Sequence, residues 1–200
     1  MHAIPQFSTP LRLNVGCGRD IQPGWVNIDL AALPGVDITF DLERCGEQQL
    51  PIEDNSVTEI RLSHVIEHID NALPLMAELY RVAANNCLCT IRVPHGSSDD
   101  AWTDPTHVRP YFPGSFGYFS QPHYWRADYG YRGDWQPEKV LLMVDRAKFG
   151  SMDGQRLLHA VRHERNVVEE IIAQMRAIKP ARAPSRELQV PPDIKVHFTQ

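Results

Sequence analysis

Five short apolar segments, each closed by a turn, constrain the fold of this chain more than any other feature. They span residues 11–15, 25–30, 36–40, 57–65 and 87–93. Their apolar residues alternate or run continuously over a few positions, as is typical of β-strands. Pro-Gly pairs and an Asp-Asn-Ser run, typical of turns, lie between several of them. The first half of the chain is therefore predicted to build a β-sheet.

A helix is predicted between the fourth and fifth of these strands. Asp70-Asn71 stands where a helix N-cap belongs. Asn85-Asn86 is expected to end the helix, because Asn accepts the left-handed conformation. The apolar residues between them follow at helical spacing: Leu73, Met76, Leu79, Tyr80 and Val82.

The last third of the chain carries weaker patterns. Residues 139–144 predict a sixth strand. Apolar residues at 168, 171, 172, 175 and 178 predict one face of a helix over 166–178. Prolines in 179–192 predict an irregular connection, and 194–198 predict a final, antiparallel strand.

Together these elements predict an α/β fold whose sheet is mostly parallel with a final antiparallel strand. We expect a single domain over residues 1–200. Its core is placed in 11–178, a Pro-rich connection in 179–192 and a last strand in 193–200.

Composition and charge exclude several classes of function. The formal net charge is −5 and no basic stripe is visible, so nucleic acid is an unlikely partner. No apolar run reaches the length of a membrane span and no secretory signal is visible, so we expect no membrane contact and a cytoplasmic location. Cys87 and Cys89 would share one face of a strand and are expected in the core. Nothing indicates an oligomeric state.

Glycines and acids follow the predicted strands where each one ends. Gly16-Cys17-Gly18 follows the first strand, Asp29 ends the second and Asp41 follows the third. Ligands of parallel sheets bind at the carboxyl ends of the strands, so these residues are expected at one edge. Ile21 replaces the third glycine of a dinucleotide fingerprint, and a plain tight turn is the alternative. The series suits an adenosine without phosphates, whose ribose hydroxyls an acid can bind.

The strings "LNVGCGRDIQPGWVNIDL", "FDLE", "LPIEDNSVTEIRLSHVIEHI" and "LYRVAANNCLCTIRVPH" resemble the motifs of class I S-adenosylmethionine-dependent methyltransferases. The resemblance covers about residues 11–95 and is most specific to a small branch that also carries "DPTHVRPY" after the fifth strand. It implies a Rossmann-like sheet and S-adenosylmethionine as the cofactor. The residues that it assigns to the cofactor are Asn14, Gly16, Cys17, Gly18, Asp29, Leu30, Asp41, Leu42, Ser63 and His64.

Two features depart from that family pattern. Residues 16–24 are too few for the usual helical crossover between the first two strands, so the first helix is expected to be a single turn or missing. Asn85-Asn86 replaces the usual glycine pair before the fifth strand. The short crossover leaves the methionine end of the cofactor less enclosed.

The run "HVIEH" at 64–68 admits several interpretations. His64, Glu67 and His68 have the spacing of an inverted zinc-protease motif, but His64 continues a strand pattern. The run also resembles the "ExxEH" segment of metal-assisted O-methyltransferases, with His64 in place of the first glutamate and His107 as the later histidine. That resemblance implies a divalent metal, although one lost carboxylate weakens such a site. Alternatively, Glu67 and His68 only hold the loop by hydrogen bonds.

The polar, proline-broken segment after the fifth strand is expected to cover the site. His95, Arg109 and Tyr111 could line a substrate pocket there. A histidine within reach of an acceptor hydroxyl can take its proton. We therefore predict methyl transfer to oxygen on a small molecule or glycan. The candidate catalytic residues are His107, His68, Asp104 and Glu67.

Two other functions remain open at this point. One is a metal-dependent hydrolase that uses His64, Glu67, His68 and His107. The other is a cofactor-binding subunit without activity, which the acids and histidines on the substrate side disfavour. Methylation of DNA bases is disfavoured because the expected [DNS]-P-P-[YFW] run is absent.

Overall fold

The computed structural model describes residues 10–199. Residues 1–9 and Gln200, which the single-domain prediction includes, lie outside the described residues. One eight-stranded sheet runs through the described part of the chain, in the order β3-β2-β1-β4-β5-β7-β6-β8. The strands are β1 (Leu11–Val15), β2 (Val26–Asp29), β3 (Ile38–Thr39), β4 (Val57–Ser63), β5 (Ala83–Pro94), β6 (Trp135–Val144), β7 (Val168–Ala177) and β8 (Asp193–Phe198).

Four α-helices and several 3-10 turns connect these strands. The helices are α1 (Ala72–Val82), α2 (Asp100–Thr103), α3 (Arg146–Phe149) and α4 (Gly154–His163). The 3-10 turns are Leu42–Gly46, Ile66–His68, Pro113–Phe119, Gln121–Trp125 and Arg186–Leu188. None of the described helices has the length and apolar character needed to cross a membrane.

The sheet is mostly parallel, as the sequence predicted. Strands β1 to β5 run parallel to one another along the order of the sheet. Strand β7 is antiparallel to both of its neighbours, β5 and β6. The predicted α/β class and mostly parallel sheet are therefore confirmed.

The position predicted for the reversed strand is wrong. Residues 166–178, expected to form a helix, contain β7, in which Ile171, Ala173, Met175 and Ala177 alternate into the core. Residues 194–198 do form a strand, β8, but it pairs in parallel with β6. In β7 every second side chain from Ile171 onward is therefore buried, which is the period of a strand. The apolar residues at helical spacing had concealed this alternation in the sequence.

The predicted helix between the fourth and fifth strands is α1. The Asn71 side chain accepts a hydrogen bond from Leu73 N and caps it. The helix ends at Val82, earlier than expected, and β5 begins at the next residue. Asn86 does take the left-handed conformation, but inside an irregular part of β5 where the register to β4 shifts.

The first crossover is short, as predicted, since residues 16–25 contain turns and no helix. The sheet consequently has two unlike faces. On one face, side chains such as Leu13, Ile60 and Ile91 are fully buried. On the other, Arg61 is half-buried and Arg92 is exposed. One side of the sheet thus carries most of the core, which includes Cys87 and Cys89 as expected.

Candidate active site

The glycine turn after β1 is shaped by its neighbours. Gly16 and Gly18 both have positive φ, +65° and +50°. A Cβ on Gly16 would lie 2.5 Å from Val65 Cγ2, so only glycine lets the turn pack against Val65. A Cβ on Gly18 would meet no atom within 4 Å, so open space adjoins this residue. The turn therefore touches the start of the 3-10 turn that carries Glu67 and leaves room beside Gly18.

Asp29, at the end of β2, holds the glycine turn through its carboxylate. Its Oδ2 accepts a hydrogen bond from Gly18 N at 2.7 Å, and its Oδ1 accepts one from Ala31 N at 2.9 Å. Each carboxylate oxygen has about two acceptor positions. One position on each oxygen therefore remains for a ligand, which is what a ribose diol requires.

The other predicted cofactor residues of β1 and β2 differ in exposure. Asn14 is buried, and its Nδ2 donates to Asp20 O and Asn27 Oδ1, so it supports the turn from within. Cys17 is buried and its N donates to Ile28 O at 3.0 Å. Leu30 is 68 % exposed and is free to pack on a ligand.

The predicted adenine residues follow β3. Asp41 caps the 3-10 turn Leu42–Gly46, and its Oδ1 accepts from Glu43 N at 3.1 Å. Leu42 is buried at the start of this turn. The half-buried Asp41 therefore keeps one carboxylate oxygen outside this hydrogen bond, at the same edge as Asp29.

His64 follows Ser63 at the end of β4 and has φ +54°, which is uncommon for a residue other than glycine. Its Nε2 lies 2.9 Å from Glu170 Oε1 on β7, and its Nδ1 lies 3.4 Å from Glu67 Oε1. Glu170 and then Glu67 raise the pKa of His64 to about 9. His64 is therefore a cation at neutral pH, clasped between two carboxylates.

Glu67, His68 and His107 meet at the carboxyl edge of β4. One ligand atom from each residue lies within 4.8 Å of the others. The rings of His68 and His107 meet edge to face, with centroids 4.7 Å apart. Glu67 is 1 % exposed, and neither of its carboxylate oxygens has a hydrogen-bond partner among residues 10–199. His107 Nδ1 is likewise buried and without such a partner there.

A chain of hydrogen bonds orients His68. Thr106 Oγ1 donates to Asp104 Oδ1 at 2.6 Å and lies 2.9 Å from His68 Nδ1. Because a threonine hydroxyl has one proton and Asp104 can only accept, His68 Nδ1–H must be the donor to Oγ1. In the neutral form of the ring, Nε2 is then the nitrogen without a proton. The hydrogen bonds from Thr106 lower the pKa of Asp104, which keeps this carboxyl ionised.

Hydrogen bonds from its backbone and from the Tyr111 side chain hold the segment that follows β5 over the cluster. Val108 N donates to Glu67 O at 2.9 Å, and Tyr111 Oη donates to Ile66 O at 3.3 Å. Gly96 N donates to Tyr111 O at 2.7 Å. The four predicted catalytic residues are thus brought together, since His107 Nε2 also lies 4.0 Å from Asp104 Oδ2.

Three residues of this network were not predicted. Thr106 links Asp104 to His68, Glu170 pairs with His64, and Arg92 Nε donates to Glu170 Oε2 at 2.8 Å. Thr106 stands between two predicted residues and could have been found from "DPTH" alone. Glu170 could not, because it lies 106 positions from His64.

The hydrolase alternative requires His64 as a metal ligand. Both ring nitrogens of His64 face carboxylates instead, with Nε2 2.9 Å from Glu170 Oε1 and Nδ1 3.4 Å from Glu67 Oε1. The group that could hold a metal contains Glu67, His68 and His107 without His64. This geometry counts against the four-residue hydrolase site.

Several solved structures have a fold similar to that of this chain. An S-adenosylmethionine-dependent methyltransferase from Archaeoglobus fulgidus is similar, with a TM-score of 0.54 and 16 % identity over 84 % of this chain and 87 % of that one. The YcgJ protein from Bacillus subtilis has a TM-score of 0.51 and 12 % identity over 86 % and 95 % of the two chains. An S-adenosylmethionine-dependent methyltransferase from Mesorhizobium loti has a TM-score of 0.50 and 12 % identity over 84 % and 91 %.

No family model and no curated protein matches the sequence. The structural similarities, at these low identities, concern the arrangement of strands and helices. They agree with the mostly parallel α/β sheet described above. The chain therefore has the fold of the class I S-adenosylmethionine-dependent methyltransferases.

Proposed function

We propose that the protein transfers a methyl group from S-adenosylmethionine to a hydroxyl group of a small molecule or glycan. The observation that carries this proposal is the position of the Glu67, His68 and His107 cluster. It lies at the carboxyl edge of the sheet, directly beyond Val65, which packs on Gly16 of the glycine turn. The group that accepts the proton and the turn that binds the cofactor would then lie next to each other, with the reacting atoms between them.

The cofactor side of this proposal rests on Asp29 and Gly18. Asp29 keeps acceptor positions free for the ribose hydroxyls, and the open side of Gly18 gives space for the methionine part. Asp41 would accept from the adenine amino group. S-adenosylmethionine supplies the reactive methyl group, and the chain contributes mainly by holding both reactants in line.

The acceptor side rests on His68 and His107. With Nδ1–H donated to Thr106, His68 Nε2 can accept the proton of an approaching hydroxyl. His107 Nδ1 is a second group without a partner in the described part of the chain. A hydroxyl must lose its proton during methyl transfer, so an imidazole nitrogen placed to accept that proton supports oxygen as the methylated atom.

The same three side chains are candidates for a divalent cation. The buried Glu67 carboxylate lies 3.4 Å from His64 Nδ1 but accepts no hydrogen bond from residues 10–199, so beside two imidazoles it fits a metal. Two histidines and one carboxylate favour a transition metal over Mg²⁺. Such an ion would supply Lewis-acid polarisation of an oxygen ligand.

Cofactor binding is tested with Asp29→Asn, which keeps the shape of the side chain but removes its charge. Charge-assisted hydrogen bonds are worth about 1.5–3 kcal/mol each, so affinity for S-adenosylmethionine should fall about tenfold or more. Calorimetry measures this, with Asp193→Asn on exposed β8 as the control. Unchanged affinity in a folded Asp29→Asn protein would contradict the assignment.

Metal binding is tested by calorimetry with Zn²⁺ and Mn²⁺ alone. Glu67→Gln should weaken binding by about 10–100-fold, the usual cost of disturbing a metal site. His197→Ala, an exposed histidine on β8, should bind as the parent does. Equal binding by both variants would show that the ion binds elsewhere.

Methyl transfer is tested with labelled cofactor and separate pools of hydroxylated small molecules, oligosaccharides and RNA. Label in one of the first two pools supports the proposal, and label in RNA alone overturns the acceptor class. His107→Ala should bind the cofactor normally and lose a factor on the order of 10²–10⁴ in rate. A protein that binds the cofactor but labels nothing would support the non-catalytic alternative.

A further inference from the structure

A cavity of about 540 Å³ lies between α4, β8 and the segment that follows β5. Three large apolar side chains on its wall are strongly exposed: Phe112 by 45 %, Leu158 by 49 % and Ile194 by 51 %. The rest of its apolar wall comprises Pro113, Leu142, Val161 and Val196. Scattered exposed apolar residues are normal, but their gathering around one cavity is typical of small-molecule sites.

One cation at the mouth of this cavity has no partner of opposite charge in the described part of the chain, although the whole chain has a net charge of −5. Arg162, His163 and Arg165 line it, together with Glu164. Arg165 pairs with Asp99 at 2.6 Å. Arg162 forms no ion pair or side-chain hydrogen bond with any residue from 10 to 199. A free guanidinium at the edge of an apolar cavity suits a carboxylate.

His95 supplies a polar group inside the cavity. His95 is 6 % exposed, and Ser97 N donates a hydrogen bond to its Nδ1 at 3.2 Å. Nδ1 is therefore an acceptor, and burial lowers the pKa of His95, which keeps the ring neutral. The ring proton must then sit on Nε2. Nε2 makes no hydrogen bond to any residue from 10 to 199, so a molecule in the cavity that His95 lines could accept from it.

We propose that this cavity binds a small carboxylic acid with an apolar body. Arg162 would hold the carboxylate, and Phe112, Leu158 and Ile194 would cover the body. The volume falls within the range of about 300–1,000 Å³ that small-molecule sites occupy. None of these residues belongs to the cluster of Glu67, His68 and His107, so the proposal does not depend on methyl transfer.

The test is calorimetry with octanoate and with octanol, in the absence of any methyl donor. Octanoate should bind with a Kd of about 1 mM or lower, as expected for a ligand of this size. Arg162→Gln should weaken octanoate about tenfold and leave octanol unchanged, because only the acid uses the guanidinium. Leu158→Asp should weaken both ligands.

Leu188→Asp is the matched control, since Leu188 is also an exposed leucine, 40 % accessible, but does not line this cavity. It should bind octanoate as the parent does. The proposal is overturned if octanoate does not bind at several times that concentration. It is equally overturned if Leu158→Asp and Leu188→Asp have the same effect, or if Arg162→Gln weakens both ligands alike.

Discussion

His64 belongs to a network of ion pairs that connects three strands of the sheet. It directly follows β4 and contacts Glu170 on β7, and Glu170 in turn accepts a hydrogen bond from Arg92 on β5. Its left-handed conformation costs about 1–2 kcal/mol for a residue with a Cβ. The two carboxylates around the imidazolium offset that cost only while the ring is protonated.

This gives a stability prediction with a definite sign. The pKa of His64 is raised from 6.5 to about 9 in the folded protein, so its stabilising contribution is complete below pH 6.5. It declines as the pH rises from there through 9. His64→Asn, which tolerates the left-handed conformation, should therefore be less stable than the parent at pH 6. The two proteins should converge above pH 9.

Urea unfolding at several pH values measures this difference. His197→Asn, an exposed histidine for which no carboxylate partner is present in residues 10–199, should follow the parent at every pH. A gap between His64→Asn and the parent that stays constant from pH 6 to 9.5 would contradict the prediction.

Thr106 acts on the candidate active site through His68. Removing its hydroxyl in Thr106→Val leaves His68 Nδ1 without its acceptor, so both ring tautomers become accessible. The rate of methyl transfer should fall about tenfold while cofactor affinity stays the same. Nitrogen NMR of the His68 ring should show the change of tautomer directly. Thr106→Ser, which keeps the hydroxyl, should restore both rate and spectrum.

At the scale of elements, β7 decides how the second half of the chain folds. Ala173 is fully buried and pairs with Ile91 and Val140, whereas the adjacent Gln174 faces the other side of the sheet and is half-buried. Ala173→Asp should destabilise the protein by about 3 kcal/mol or more, because it buries an unpaired carboxylate. Gln174→Asp should cost far less. Denaturant unfolding compares them.

This pair also separates the strand from the helix that the sequence predicted. In that helix, the apolar face would be 168, 171, 172, 175 and 178, so 173 and 174 would both lie outside it. Similar small effects of both substitutions would favour the helix. Only a strand places neighbouring residues on opposite faces.

The sequence predicted the first half of the fold because strand ends there coincide with turns. Gly16–Gly18, Asp29 and the Asn71 cap all sit where their local patterns indicate. In β7 the alternation was hidden, since two of its buried positions, Ala173 and Ala177, are small and add little to a hydrophobic pattern. Residues 171 and 175 fit both periods.

The candidate site was predictable to the extent that its residues are local. Glu67, His68, Asp104 and His107 fall in two short motifs, and the structure brings these motifs together. Contacts between residues on different strands depend on which strands are neighbours in the sheet, and one sequence does not predict this. Glu170 reaches His64 only because β7 lies beside β5 in the sheet.

At the scale of the molecule, the missing first helix leaves the two faces of the sheet unequal. Mostly parallel sheets usually have both faces covered by helices. Here Arg61 and Arg92 on the second face pair with Asp20 and Glu170 across that face, at 2.7 Å and 2.5 Å. Such pairs keep a solvent-facing sheet polar, which disfavours non-specific association.

The place of β7 between β5 and β6 has a consequence for a chain that is still being made. The first five strands are adjacent in the sheet, but the second edge of β5 pairs with β7, which begins only at Val168. At about 5–20 residues per second, this edge stays unpaired for several seconds of synthesis. An open apolar edge is a template for aggregation.

A chain that stops after Asp145 should therefore precipitate on expression, whereas one that stops after Pro192, lacking only β8 at the rim of the sheet, should stay in the soluble fraction. Comparable recovery of both chains in that fraction would show that the edge of β5 is protected by other means.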